Sequence, residues 1–242
     1  MKRALDSKGF EIVEAVYSAK EIEEILQILM SKKLGNGFGV RTFLFDNPDI
    51  ANKIFTSKLI EIIQRIVSNC NKSIKSIYFD KPPNANWIVN WHQDLTINLL
   101  PTRQKIAQGY KNWRTIKDRT VVQPNLTLLE SIFTIRIHLD DCSKENGALR
   151  VIEGSHKKGC VNIKQWMINK EGVEHICEVK KGGVLIMKPL LLHSSRRTEN
   201  QKNRRVIHIE FTEKALPDGL NWREKVAVRN TSENEMCASC GE

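Results

Sequence analysis

Apolar and polar positions along this chain follow two different periods, and the period changes near residue 74. In the first part, Ile22, Ile25, Leu26 and Leu29 recur at three and four residues, the spacing that gathers apolar side chains on one helical face. Ser18 stands before them as an N-cap, and Glu21 three residues later completes a capping box. Lys32 and Lys33 suit the C-terminal end of the helix dipole, and Gly35 is the expected helix end. Asn36 to Arg41 reads as loop, and a second helical region begins near Pro48. A third helix, from about Ser57 to Val67, repeats the spacing through Leu59, Ile62, Ile63 and Ile66. Residues 9 to 14 read as a short strand, and the helices are expected to cover one face of a sheet.

From Ile74 onward strand-like runs dominate: Ser76–Asp80, Trp87–Trp91, Ile132–Asp140, Leu149–Ile152, Gly183–Met187 and Arg205–Phe211. Turn signals separate them, among them Pro82-Pro83, Glu145-Asn146-Gly147 and Lys181-Gly182-Gly183. Many short strands joined by polar loops predict a sandwich or barrel. The chain shows no internal repeat and no linker rich in Pro, Gly or Ser. One domain over residues 1–230 is therefore expected, with a helical cover at about 18–70, a β core at about 74–215 and a flexible tail at 231–242.

Composition narrows this picture. At 242 residues the length alone admits one large domain or two small ones. A hydrophobic share of 40% with 27% charged residues excludes a mostly disordered chain, because enough apolar material is present to bury a core. No stretch approaches the roughly 18 uncharged apolar residues of a membrane span, so no membrane association is expected. The basic start Met1-Lys2-Arg3 is followed by no apolar run and does not read as a secretory signal. Cys70, Cys142, Cys160 and Cys177 have no common spacing, so they are read as reduced thiols of a cytoplasmic protein. Cys237-Ala-Ser-Cys240 lacks the second ligand pair of a zinc site. The formal net charge of +10 leaves open a polyanionic partner, an anionic small molecule, or a solvated lysine-rich surface.

The chemistry lies where polar residues occupy protected positions. In Asn90-Trp91-His92-Gln93-Asp94, residues two apart share a strand face, so His92 and Asp94 can aim at one metal ion, with Asn90 a pocket candidate on the same face. His193 follows on a separate stretch, with Ser195 two residues on and Arg204 eleven residues after His193. Two His and one carboxylate form the facial triad of a non-haem Fe(II) oxygenase, which leaves positions open for a bidentate 2-oxo acid and dioxygen. Such a co-substrate needs a cation for its far carboxylate. Arg204 supplies one with a bidentate fork, and Ser195 can add a hydroxyl. Alternation puts Arg204, Val206, His208 and Glu210 on one face of their strand, and Thr134-Ile-Arg136-Ile-His138 follows a similar pattern, so a wet central cavity is expected. Arg136 is then either a ligand for a substrate carboxylate or the partner of a group such as Glu210. His138 and His208 either contact substrate or hydrogen-bond within the barrel. His156, in a Gly-Ser-His turn, is read as structural, and His175 as solvated.

Together, Trp-His-Gln-Asp at 91–94, Arg-Ile-His-Leu-Asp-Asp at 136–141, Asn-Gly-Ala-Leu-Arg at 146–150, Gly-Ser-His at 154–156, His193 with Ser195, and Arg204 make a specific ordered set. In these motifs the chain resembles the phytanoyl-CoA dioxygenase family of Fe(II)/2-oxoglutarate oxygenases, from about Gly9 to Trp222. The resemblance implies a mainly β fold with flanking helices, built on a double-stranded β-helix (jelly-roll) core. It carries over His92, Asp94 and His193 as iron ligands, Arg204 and Ser195 as holders of the 2-oxoglutarate tail, and Gln93 as a residue near the co-substrate. The carboxylate at 94 sets the chain apart from related halogenases, which have a small residue there.

The implied activity is dioxygen-dependent hydroxylation of an unactivated C–H bond, with 2-oxoglutarate converted to succinate and carbon dioxide. The segment Thr102 to Pro124 is the expected substrate lid. It carries Arg103, Lys105, Lys111, Arg114, Lys117 and Arg119 against Asp118, with Trp113 a candidate contact to substrate or co-substrate. That concentration favours a small anionic substrate. A nucleic-acid partner is disfavoured, because the basic run Arg196 to Arg205 lacks stacking aromatics. A non-catalytic jelly-roll binding protein and a nucleic-acid-directed oxygenase are the competing readings, and the pattern assigns no oligomeric state.

Overall fold

A computed structural model describes residues 1–34, 39–82, 87–103, 107–169 and 171–229. The expected helix end at Gly35, residues 36–38 of the expected 36–41 loop, Pro83, Lys105 and the Cys237/Cys240 tail lie outside these residues, and the end of that loop, Val40–Arg41, is a strand instead. Helices α1 (Lys2–Ser7) and α2 (Ala19–Ser31) flank strand β1 (Phe10–Val13). The capping box of α2 forms as expected: the Glu21 N–H donates to Ser18 Oγ, and the Ser18 N–H donates back to the Glu21 carboxylate at 2.7 Å. Its apolar stripe, Ile22, Ile25, Leu26 and Leu29, is buried. After the short strand β2 (Val40–Arg41) come α3 (Phe43–Asp46), α4 (Pro48–Ile54) and α5 (Ser57–Ile66), the last burying Leu59, Ile62, Ile63 and Ile66.

These helices cover the outer face of a large antiparallel sheet. Its order is β1, β11 (Val184–Met187), β8 (Phe133–His138), β13 (Arg204–Phe211), β3 (Lys72–Lys81) and β14 (Val226–Ala227), with β2 also paired to β3. A second sheet runs β10 (Glu174–Cys177), β9 (Leu149–Ile152), β12 (His193–Ser195), β4 (Val89–His92). The fold is mainly β with flanking helices, as the strand pattern predicts. Ile135, Ile137, Ile207, Ile209 and Phe211 point into the core shared with α2, α4 and α5. On the other face, Phe10, Leu185 and Met187 pack against Leu149, Val151 and Cys177 of the second sheet and close one end of the space between the sheets. At the other end the inward positions are polar, and a cavity opens there.

The expected lid is a hairpin instead. Within Thr102–Pro124, β6 (Lys111–Ile116) and β7 (Arg119–Gln123) pair with each other, and β7 also pairs with β5 (Ile97–Leu99), where Val122 buries against Ile97 and Leu99. Helices α6 (Leu126–Ser131) and α7 (Ile163–Asn169) and strand β10 are absent from the sequence expectation, being too short to show a period. No described helix is long and apolar enough to cross a membrane. Cys70, Cys142 and Cys177 are buried free thiols, and Cys160 is an exposed one.

Glu224 precedes β14 and is buried, with Ser76 as its side-chain partner and Oε1 bonded to nothing among the described residues. Burial raises its carboxyl to about 7. A raised folded-state value favours the protonated acid, so the stabilisation is present below the unfolded value and is lost as pH rises through 7. The wild type is expected to lose about 3 kcal/mol of stability over that window. In Glu224→Gln most of this loss disappears. Denaturant unfolding at acidic and alkaline pH measures it, and equal pH slopes in the two proteins refute it.

Candidate metal centre and its cavity

His92 ends β4, and His193 begins the neighbouring strand β12. The two are direct cross-strand partners, with ring centroids 4.1 Å apart. Asp94 lies just past the end of β4, where its N–H donates to the Pro189 carbonyl at 2.9 Å. Its carboxylate oxygens stand 4.0 Å from His92 Nε2 and 3.6 Å from His193 Nε2. The other ring nitrogens are engaged with backbone: His92 Nδ1 contacts the Asn90 carbonyl at 2.7 Å, and His193 Nδ1 the Leu191 carbonyl at 2.8 Å. Only a protonated nitrogen can donate to a carbonyl. The proton therefore sits on Nδ1, and both Nε2 lone pairs face Asp94. Burial pushes His193 down to about 4, so it is neutral, the form that ligates a metal. Burial pushes the Asp94 carboxyl up, but His193, Lys75, His208 and His92 outweigh it and hold the carboxyl below the usual range.

Two groups of three possible ligands come within 4.8 Å among the described residues: His92, Asp94 and His193, and Asp94, His208 and Glu210. The second group is already satisfied. Glu210 pairs with Lys75 Nζ at 2.6 Å, and both His208 nitrogens are in use, on Arg136 Nη1 at 3.1 Å and Glu210 Oε1 at 3.2 Å. The first group has two free imidazole lone pairs and a carboxylate, which fits Fe(II). His193 is almost fully enclosed and His92 is the exposed member, with 4% and 37% of their side chains accessible, so the centre is approached from the His92 side.

A cavity of about 310 Å³ joins this centre to Arg204 and Ser195. The sheet register decides what lines it. Across β13, Arg204 faces Lys81, Val206 faces Phe79, His208 faces Ile77 and Glu210 faces Lys75. On the other side, His208 faces Arg136 and Val206 faces His138. The alternation along 204–211 and 134–138 therefore holds, and the interior is polar. Arg136 donates to His208 rather than to Glu210, which is taken by Lys75. His138 is buried on the same face, with no hydrogen-bond partner for either ring nitrogen among the described residues. Burial, then Arg136 and Arg204, keep it neutral.

Four expected site residues do not line the cavity: His138, buried beside it, and three that stand elsewhere. Asn90 is exposed and does not line the cavity. The β4–β12 pairing shifts by one residue between His193–His92 and Ser195–Val89, and this bulge turns Val89 inward in place of Asn90. Gln93 is turned away. Its Nε2 donates to the Gly159 and Leu190 carbonyls at 2.8 and 2.6 Å, and its Oε1 accepts the Val161 N–H at 2.9 Å. Gln93 thus ties the 159–161 loop to the strands that carry His92 and His193, and Gln93→Ala is expected to lower stability by about 2–4 kcal/mol. The co-substrate requirement of Gln93→Ala should equal that of wild type. A raised requirement in steady-state assays, at wild-type thermal stability, sinks the structural role.

Trp113 packs with Tyr110, ring centroids 6.1 Å apart, against the small core around Ile74, Leu99 and Trp222. It does not line the cavity, and neither does any basic residue of 102–124 among those described. Lys111, Arg114 and Lys117 are exposed, as are Arg196 and Arg197. The cations that line the cavity besides Arg204 are Arg41, Lys75, Lys81 and Arg136. The first three escape a reading of the sequence because a lysine or arginine near strand ends reads as solvated. The signal that finds the lysines is their period of two with Ile77 and Phe79, across from Arg204 to Glu210.

The model of the phytanoyl-CoA dioxygenase family matches residues 5–206. Comparison with curated proteins gives no match. Among solved structures, the chain is similar to the non-haem α-ketoglutarate-dependent carbocyclase SnoK from nogalamycin biosynthesis. The TM-score is 0.65 at 14% identity, with 90% of this chain and 87% of that one covered. The non-haem monooxygenase ThoJ, solved as a nickel complex, aligns with a TM-score of 0.65 at 13% identity, over 94% of this chain and 83% of that one. HygX from Streptomyces hygroscopicus, solved with nickel and 2-oxoglutarate, gives 0.59 at 14% identity, over 86% and 83%. At these identities the likeness speaks to the fold, while the family match covers most of the chain. The polar jelly-roll interior, the His-Asp-His group and the match over residues 5–206 lead to one conclusion: the chain belongs to the phytanoyl-CoA dioxygenase family of iron- and 2-oxoglutarate-dependent oxygenases.

Proposed function

We propose that this protein hydroxylates an unactivated C–H bond of a small anionic molecule, with His92, Asp94 and His193 holding Fe(II) and Arg204 and Ser195 holding the far carboxylate of 2-oxoglutarate. The observation that carries this reading is the facing of two free Nε2 lone pairs onto one carboxylate, in a cavity whose other end presents Arg204 and Ser195. When bound, the iron and 2-oxoglutarate supply dioxygen activation, with succinate and carbon dioxide leaving as co-products. The chain's own part is geometry and environment. The backbone carbonyls of Asn90 and Leu191 fix both imidazoles in one tautomer, so the metal meets no competing proton. Arg204 and Ser195 orient the co-substrate by its tail, so its reactive end reaches the metal in one pose. Ile77, Phe79, Val89, Leu149 and Val206 line the space between and exclude water.

The anionic substrate is supported by charge. Asp94 and Glu210 are the acids that face Arg41, Lys75, Lys81, Arg136 and Arg204, and Glu210 is taken up by Lys75 and His208. A ferrous ion and a dianionic co-substrate cancel each other, so a net positive interior remains for the substrate to neutralise. The test is iron-dependent conversion of 2-oxoglutarate to succinate by purified protein, stimulated by carboxylate- or phosphate-bearing compounds in a substrate library. Iron-loaded protein that binds no 2-oxoglutarate ends the hydroxylase reading and leaves the non-catalytic jelly roll.

A further inference from the structure

The cations at the Arg204 end of the cavity outnumber what one guanidinium explains. Lys81, the last residue of β3, stands directly across from Arg204 in the sheet, so both side chains lie on the cavity face. It is 4% exposed. Its Nζ donates to the Trp87 carbonyl at 2.9 Å and sits 4.2 Å from the centre of the Trp87 ring, two neutral anchors that fix the ammonium in place without matching its charge. Arg136 lines the same cavity from β8, and its Nε has no partner among the described residues. The Nε of Arg204 is likewise unpartnered, and its side-chain partner is the neutral thiol of Cys142. None of the three forms an ion pair with a described carboxylate. Buried cations without a counter-charge are costly, and cations that also face one another cost more. A cavity built this way stores that cost until an anion enters.

We infer that Lys81 is a further co-substrate-binding residue, donating from its ammonium to the same far carboxylate of 2-oxoglutarate that Arg204 holds. The inference rests on the co-substrate reading above and adds a consequence to it. Burial, with Arg204 and Arg136 alongside, lowers the free-protein ammonium to about 7. A carboxylate placed against it reverses that environment and raises the value again. Above about pH 7 the Lys81 amine of the free protein is largely neutral, and binding draws one proton from solution. Below that value Lys81 is already charged, and binding draws none.

The other groups facing Lys81 do not change state there. Arg204 on β13 and Arg136 on β8 stay charged, Arg136 lowered only to about 10. His138 on β8 is held neutral by burial, and burial raises the Cys142 thiol, which stays protonated.

Isothermal titration of 2-oxoglutarate into anaerobic, Fe(II)-loaded protein tests this without turnover. Two buffers of different ionisation enthalpy report proton uptake, about one unit either side of pH 7. The expected wild-type result is uptake approaching one proton on the alkaline side and none on the acidic side, with affinity falling by up to about tenfold per pH unit above 7. Lys81→Met, which preserves the side-chain bulk, should bind roughly 10- to 100-fold more weakly with no uptake. Lys81→Arg should bind with little pH dependence and no uptake, and both variants should retain iron. Wild-type affinity in Lys81→Met, or uptake that persists in Lys81→Arg, overturns the role of Lys81 alone. A wild type that binds no 2-oxoglutarate overturns the co-substrate reading and Lys81 with it.

Discussion

Asp94→Ala is expected to yield a folded protein that retains no iron and turns over no 2-oxoglutarate. Asp94 supplies the one negative charge of the candidate centre, and it is shared by both ligand groups that come together in the cavity. Without it, two imidazoles alone face a dication in a cavity lined by Arg41, Lys75 and Arg136. Outer partners of metal ligands already cost about 10- to 100-fold in metal affinity when lost, so removing a ligand itself should exceed about 100-fold. Metal analysis after iron loading reads this directly, and circular dichroism checks the fold. His193→Ala and His208→Ala then separate the two groups. The first should lose iron, and the second should keep it, because both His208 nitrogens are engaged with Arg136 and Glu210. Iron lost from His208→Ala and kept in His193→Ala would falsify the assignment.

The second large effect belongs to Arg204. Arg204→Ala should raise the 2-oxoglutarate requirement about a hundredfold while iron content stays at the wild-type level. Truncating one side of a buried, hydrogen-bonded charge pair costs about 2–5 kcal/mol, most of it from the carboxylate left without its partner. The guanidinium is well placed to produce that loss: it begins β13, is buried, and has no acidic partner of its own among the described residues. Steady-state kinetics with varied 2-oxoglutarate and parallel iron analysis make the measurement. A drop in iron content together with the rise would mean that Arg204 supports the fold of the centre instead of the co-substrate.

These two predictions concern residues that are legible in the sequence, and the reason is local. His92 and Asp94 are two residues apart at a strand end, and Arg204 and His208 are four apart on a strand. Near-neighbour geometry of that kind depends on backbone stereochemistry alone. The helical cover was legible for the same reason, since a capping box and a stripe at three and four residues are local signals. Asn90 failed because a bulge inserts one residue between His92 and Val89, and a period of two cannot anticipate where it breaks. The resemblance placed Gln93 near the co-substrate, but its partners lie 66, 68 and 97 residues away in the chain. Trp113 and the basic lid failed because the segment found a sheet of its own, which buries its apolar side and leaves its charges in water.

The amino-acid sequence by itself determined which side chains share a face wherever the strand runs without a bulge, where the α2 helix begins, and that two His, a carboxylate and an Arg stand at oxygenase spacing. It also determined that the interior would carry charge, since Arg204, His208 and Glu210 alternate with Ile207 and Ile209. Only the tertiary structure decided how that charge is matched. Lys75 meets Glu210 across 135 residues of chain, and Lys81 meets Arg204 because β3 and β13 adopt one register among the several that alternation permits. Register is set by simultaneous burial of the opposite face under the helices and by bulges at particular residues, a global condition that no short stretch of sequence contains.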